Sequence, residues 1–72
     1  MKINDIIKKT MKDAKITQKI MATSIGKEKP NEVSARLASK NMTFGSAIEM
    51  LNVVGAQVIV RDADGNEYVI TE

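Results

Sequence analysis

Residues 17–37 read TQKIMATSIGKEKPNEVSARL, and whether they form one helix or two decides the fold. Gly26 and Pro30 divide the stretch. Glycine readily takes the left-handed conformation that ends helices, and proline suits the first turn of a new one, where its missing N–H would be unpaired anyway. Thr17, ahead of the stripe Ile20, Met21, Ser24 and Ile25, offers the side-chain oxygen of an N-cap. The spacing predicts a short helix over 17–25, a charged turn, and a helix over 30–39. The buried face of the second carries Val33 and Leu37, with Ala38 or Arg36 at its edge.

Outward from this pair the periodicity continues. Ile3, Ile6, Ile7, Met11 and Ala14 recur at three- and four-residue steps between lysines, predicting an amphipathic helix over 2–13. Thr43 is the next N-cap candidate, and Phe44, Ala47, Ile48, Leu51 and Val54 form a stripe closed by Gly55, giving a helix over 43–54. After Gly55 the period falls to two, and two apolar runs flank DADG in a hairpin over about 57–71. A three-residue loop with Gly65 in the left-handed position sets Arg61 opposite Glu67, Val60 opposite Tyr68 and Val58 opposite Ile70. A tighter turn would oppose Asp62 to Glu67, so the longer loop is favoured. Residues 1–72 are thus expected to form a single, mainly α domain: a four-helix bundle containing a helix-turn-helix, followed by a C-terminal β-hairpin. The methionines are spaced as core filler.

Composition removes most catalytic chemistry. The 72 residues include no cysteine and no histidine, so thiolate nucleophiles, Cys-ligated zinc and the commonest general base are absent. No apolar run approaches the roughly 18 residues of a membrane span, and MKINDIIKKT lacks the apolar core of a signal peptide. A cytoplasmic protein without membrane contact is expected. The acidic turn DADGNE lacks the spacing of a calcium-binding loop, and Asp62 and Asp64 have no apolar pocket to separate their pKa values. Neither enzyme activity, nor a cofactor, nor a metal is expected.

Charge is divided unevenly along the chain. Residues 1–40 carry ten Lys/Arg against four Asp/Glu, and residues 41–72 carry one against five, so a +6 half precedes a −4 half. Lysines solvate many helix faces, but such a division also suits a basic surface turned to a polyanion.

The helix pair resembles the helix-turn-helix of lambda-repressor-like (Xre-type) DNA-binding domains. The resemblance is carried by Ile16-Thr17-Gln18, Ala22, Ile25-Gly26, Val33-Ser34 and Leu37, followed by Lys40-Asn41-Met42-Thr43. In that family a small residue at the Ala22 position lets the helices approach, the glycine makes the turn, and residues matched by Val33 and Leu37 anchor the recognition helix. The step from Gly26 to Val33 is one residue longer here than in the common pattern. The closing hairpin is similar to the ending of many small bacterial and prophage regulators of this type.

The resemblance implies a sequence-specific transcriptional regulator, a repressor-type protein binding double-stranded operator DNA with helix 30–39 in the major groove. Lys29, Asn31, Glu32, Ser34 and Ala35 are the candidate base-reading residues. Asparagine can pair with an adenine edge, glutamate can accept from a cytosine amino group, and alanine can touch a thymine methyl. Asn31 and Glu32 also suit a helix start, where they satisfy free N–H groups. Thr17, Gln18, Lys19, Lys27, Arg36, Lys40 and Asn41 are the candidate phosphate-binding residues; the Gln18 position contacts a phosphate in the resembled family, beside a helix start that favours anions. A homodimer would match a palindromic site, with Val58, Val60, Tyr68 and Ile70 as its candidate dimerisation surface unless that face packs on the helices instead. The alternative is a protein-binding module, an anti-repressor or antitoxin, on the same fold.

Overall fold

The computed structural model describes residues 1–70. Four helices, α1 (Ile3–Asp13), α2 (Gln18–Ser24), α3 (Pro30–Ala38) and α4 (Phe44–Val53), precede an antiparallel hairpin of β1 (Val58–Arg61) and β2 (Glu67–Ile70). Each element lies within two residues of its expected bounds. Residue 71, to which the sequence reading extends the hairpin, lies outside the described residues.

Helix boundaries follow from local chemistry. Thr17 and Thr43 accept from the backbone N–H of Ile20 and Ser46 at 3.1 and 3.2 Å, so both are N-caps. Three helices end in the same left-handed motif, in which the residue after the C-cap has positive φ and two backwards hydrogen bonds close the last turn. At α2 this residue is Gly26 (φ 78°), with Gly26 N–H donating to Thr23 and Lys27 N–H to Ala22. At α4 it is Gly55 (φ 76°). At α1 it is Lys15 (φ 57°), whose own N–H donates to Lys12 while that of Ile16 donates to Met11. No periodicity marks a lysine for that role.

The third helix ends differently. Its C-cap Ser39 is extended (φ −69°, ψ 132°), so the chain itself closes only the Arg36 carbonyl, to which the Ser39 N–H donates, and leaves those of Leu37 and Ser39 open. Asn4 of α1 closes them instead, its amide donating to the carbonyls of Leu37 at 2.7 Å and Ser39 at 2.8 Å. A side chain at the start of the chain thereby fixes the end of α3.

The core lies where the four helices meet: Ile7 and Met11, Met21 and Ala22, Val33 and Leu37, and Ala47, Met50 and Leu51. Every buried residue among those described is apolar. Ala22 has the small side chain expected where α2 and α3 approach. Two expected stripes hold in part: Met21 of α2 and Ala47, Ile48 and Leu51 of α4 are buried as expected, whereas one large member of each is exposed. Ile20 is 45% exposed while Ala22 is buried, and Phe44 is 62% exposed while Met50 is fully buried. Phe44 stands at the first residue of α4, beyond the reach of the core, and lines a shallow apolar groove with Ile3, Met42 and Val58. At the edge of α3 it is Arg36, half-buried, that borders the core, while Ala38 is exposed.

The hairpin has the expected register, Val58↔Ile70, Val60↔Tyr68 and Arg61↔Glu67, with Gly65 at φ 86°. Asp62 organises its tip, accepting from the N–H groups of Asp64 and Asn66, the Asn66 amide and the Tyr68 hydroxyl. The hairpin does not lie along α4: of its residues, Val58 alone packs against the core. Ile59, Val60, Tyr68 and Val69 remain about half exposed, and the molecule measures 42 × 23 × 20 Å. No helix among the described residues is long and apolar enough to cross a membrane.

Candidate nucleic-acid interface

The start of α2 and the outward side of α3 form one surface. Val33 and Leu37 point into the core, which turns Asn31 and Ala35 outward, one helical turn apart. Ser34 lies on the flank facing α2, where its hydroxyl donates to Gln18 Oε1 at 2.5 Å. A residue expected to read bases and one expected to hold phosphate therefore touch each other. The N–H groups of Gln18 and Lys19, at the first two positions of α2, have no intrahelical carbonyl to meet. With α2 only seven residues long, these free donors matter more at its start than a summed helix dipole.

Each remaining candidate has a definite place. Glu32 reaches back to the N–H of Lys29 at 3.4 Å, so it caps α3 as well as standing beside its outward face. Lys29 is the N-cap itself; its ammonium can only donate, so the carboxylate of Glu32 supplies the side-chain acceptor at this helix start. The Asn31 side chain makes no hydrogen bond to any described residue and is exposed, leaving the donors and acceptor of its carboxamide free. Thr17 has its oxygen engaged as the cap of α2. Lys19 and Lys27 are exposed in the first turn of α2 and just after Gly26, and Lys40 and Asn41 are exposed in the loop after α3. Arg36 lies on the α4 flank, ion-paired to Glu49 at 2.9 Å.

Charge around the turn is balanced. The depression formed by Gly26, Lys27, Glu28, Lys29, Asn31 and Glu32 holds two lysines and two glutamates. A second cluster of cations, not anticipated as a group, lies at the other end of α3. There Lys2, Lys8 and Lys40, with Asp5, line a groove between α1 and residues 37–39. Lys40 is more than thirty residues from Lys2 and Lys8 in sequence, so only the packing of α1 on α3, pinned by Asn4, brings it to them.

Against known proteins, no family model, no curated protein and no solved structure matches the chain. The resemblance to lambda-repressor-like domains is therefore one of motif residues in the sequence.

The candidate dimerisation residues fall on one hairpin face, as the register requires, with Val60 and Tyr68 exposed and Val58 and Ile70 half-buried. The opposite face adds Ile59 and Val69, which the alternating reading passed over. The runs Val58-Ile59-Val60 and Tyr68-Val69-Ile70 are apolar at every position, a pattern that belongs to strands covered on both sides.

Proposed function

We propose that the protein is a sequence-specific DNA-binding regulator that places α3 in the major groove and acts as a homodimer. The observation that carries this reading is the Gln18–Ser34 contact, which joins the start of α2 to the outward side of α3 in one exposed polar surface. A recognition helix needs one face anchored and the other free, and α3 meets that need with Val33 and Leu37 inward and Asn31 and Ala35 outward. Lys19, Lys27, Lys40 and the Lys2–Lys8 groove supply cations on either side for the sugar-phosphate backbone.

Dimerisation is supported by the hairpin. An isolated two-stranded hairpin is marginal in water, and this one leaves on the order of a few hundred Å² of apolar side chain uncovered on two faces, more than isolated surface residues account for. Pairing two copies through Val60, Tyr68 and their neighbours would cover one of those faces and present two α3 helices to half-sites about 34 Å apart.

The exposed Phe44 beside Ile3, Met42 and Val58 favours a second reading, a protein-binding module using this groove or the hairpin. The two differ in salt dependence. Selection from a randomised duplex library, followed by a salt titration on the selected site, separates them. The regulator reading predicts an enriched palindrome whose affinity falls with a log–log slope of about −0.9 per phosphate contacted. Weak, sequence-independent duplex binding would leave the protein-binding reading standing.

A further inference from the structure

Resting on the DNA-binding reading, we infer that the centre of each half-site consists of A·T pairs, with an adenine read by Asn31 and a thymine methyl packed against Ala35. The inference comes from which polar groups of α3 are already committed. Guanine in the major groove presents two acceptors, and the side chain best shaped for it is arginine. The only arginine of the four helices is Arg36, and its guanidinium is held by Glu49 on the flank facing α4. Cytosine presents a donor that a carboxylate can accept, but the carboxylate of Glu32 reaches back to the N–H of Lys29. Ser34, able to serve any base, donates to Gln18. Lys29 stands ahead of the helix at its N-cap, so a guanine within its reach would lie at the edge of the half-site.

What remains on the outward line is one free carboxamide and one methyl group. Asn31 is exposed and can donate to adenine N7 while accepting from adenine N6. Ala35, also exposed, offers only a methyl group, and the thymine C5-methyl is the one apolar feature on a major-groove edge. The two residues are about 6 Å apart along the helix axis, so the bases they meet lie within about two base-pair steps of each other.

The test replaces single atoms of the selected duplex. Uracil for thymine removes only the C5-methyl, and 7-deazaadenine removes only the N7 acceptor. At one thymine, uracil is expected to weaken binding about fourfold, the worth of one methyl group, and Ala35→Gly is expected to abolish that sensitivity. At a neighbouring adenine, 7-deazaadenine is expected to weaken binding about tenfold for the wild type and not at all for Asn31→Ala. Circular dichroism confirms that each variant keeps its helices, and Ala35→Ser replaces Ala35→Gly if the glycine unfolds α3. A selected half-site centred on G·C pairs, or an A·T centre indifferent to both analogues, overturns the inference while leaving DNA binding intact. Failure to select any duplex overturns the DNA-binding reading along with it.

Discussion

Replacing Asn4 tests whether α1 holds the end of α3. The Asn4 amide donates to the Leu37 and Ser39 carbonyls at 2.7 and 2.8 Å, across 33 and 35 residues of chain. Each such bond contributes a net 0.5–1.5 kcal/mol or so, but both carbonyls border an open groove that water can enter. Asn4→Ala is therefore expected to cost about 1–2 kcal/mol, toward the lower part of the sum for two bonds. In a domain of this size each kcal/mol lowers the melting temperature by about 4–8 °C, giving a fall of about 5–15 °C in a calorimetric or circular-dichroism melt. Asn4→Asp sharpens the test. Aspartate has nearly the same shape, and the start of α1 favours its charge by about 0.3–1 kcal/mol, yet an ionised carboxylate has no hydrogen to donate. If Asn4 acts as a donor, Asp is destabilising at neutral pH; if it only fills space, Asp is tolerated. A melting temperature within about 2 °C of wild type for both variants would refute the reasoning, because neither bond would then contribute measurably.

Four further outcomes follow from the geometry. Lys15→Gly should stabilise the fold by about 0.5–1 kcal/mol, since glycine adopts the left-handed conformation at φ 57° without the β-carbon clash; an unchanged melt would mean the end of α1 frays in solution. Gly26→Ala should cost about 1–2 kcal/mol from backbone conformation alone, because an added β-carbon meets nothing within 4 Å; a far larger loss in a denaturant titration would reveal crowding in the turn. Leu37→Ala should cost about 2–5 kcal/mol, as Leu37 is buried between the helices, and unfolding in urea reads this directly. Hydrogen bonds from the Asn66 backbone, the Asn66 side chain, Asp64 and Tyr68 hold the Asp62 carboxyl below its ordinary pKa of 3.8. Its contribution to the hairpin is thus complete above that ordinary value and is lost as pH falls through the lower, folded one. Protection of the Asp64 and Asn66 amides from exchange, taken relative to the unfolded rate at each pH, should fall in that acidic range, and Asp62→Ala should remove that change in protection.

The parts of this fold legible in the sequence are those set by neighbours along the chain. Thr17 and Thr43 are caps because a hydroxyl sits three residues before an unpaired N–H. Gly26 and Gly55 end their helices because left-handed backbone suits glycine. The hairpin register was legible because a one-residue change in the loop would set like charges against each other, and Arg61 does pair with Glu67. Where periodicity misled, the third dimension decided. Phe44 sits on the apolar stripe of α4 yet lies at its first residue, outside the space enclosed by the other helices. On α2 the small Ala22 is buried, as the resemblance implies, while Ile20 of the expected stripe is left half exposed. At the candidate site, the outward positions of Asn31 and Ala35 were readable from the spacing of Val33 and Leu37. The commitments of Ser34 to Gln18 and Arg36 to Glu49 were not, since each joins residues more than ten apart through helix packing. The Asn4 tether and the Lys2–Lys8–Lys40 groove were invisible for the same reason.

The most direct test of the central claim, that the α2–α3 surface meets DNA, is the change in backbone amide chemical shifts when a selected duplex is added to the isotope-labelled protein. The account predicts the largest changes in residues 17–19, 27–35 and 40–41, with smaller ones in the hairpin residues 58–70. Changes confined to the hairpin and the groove around Phe44, with α3 silent, would contradict it.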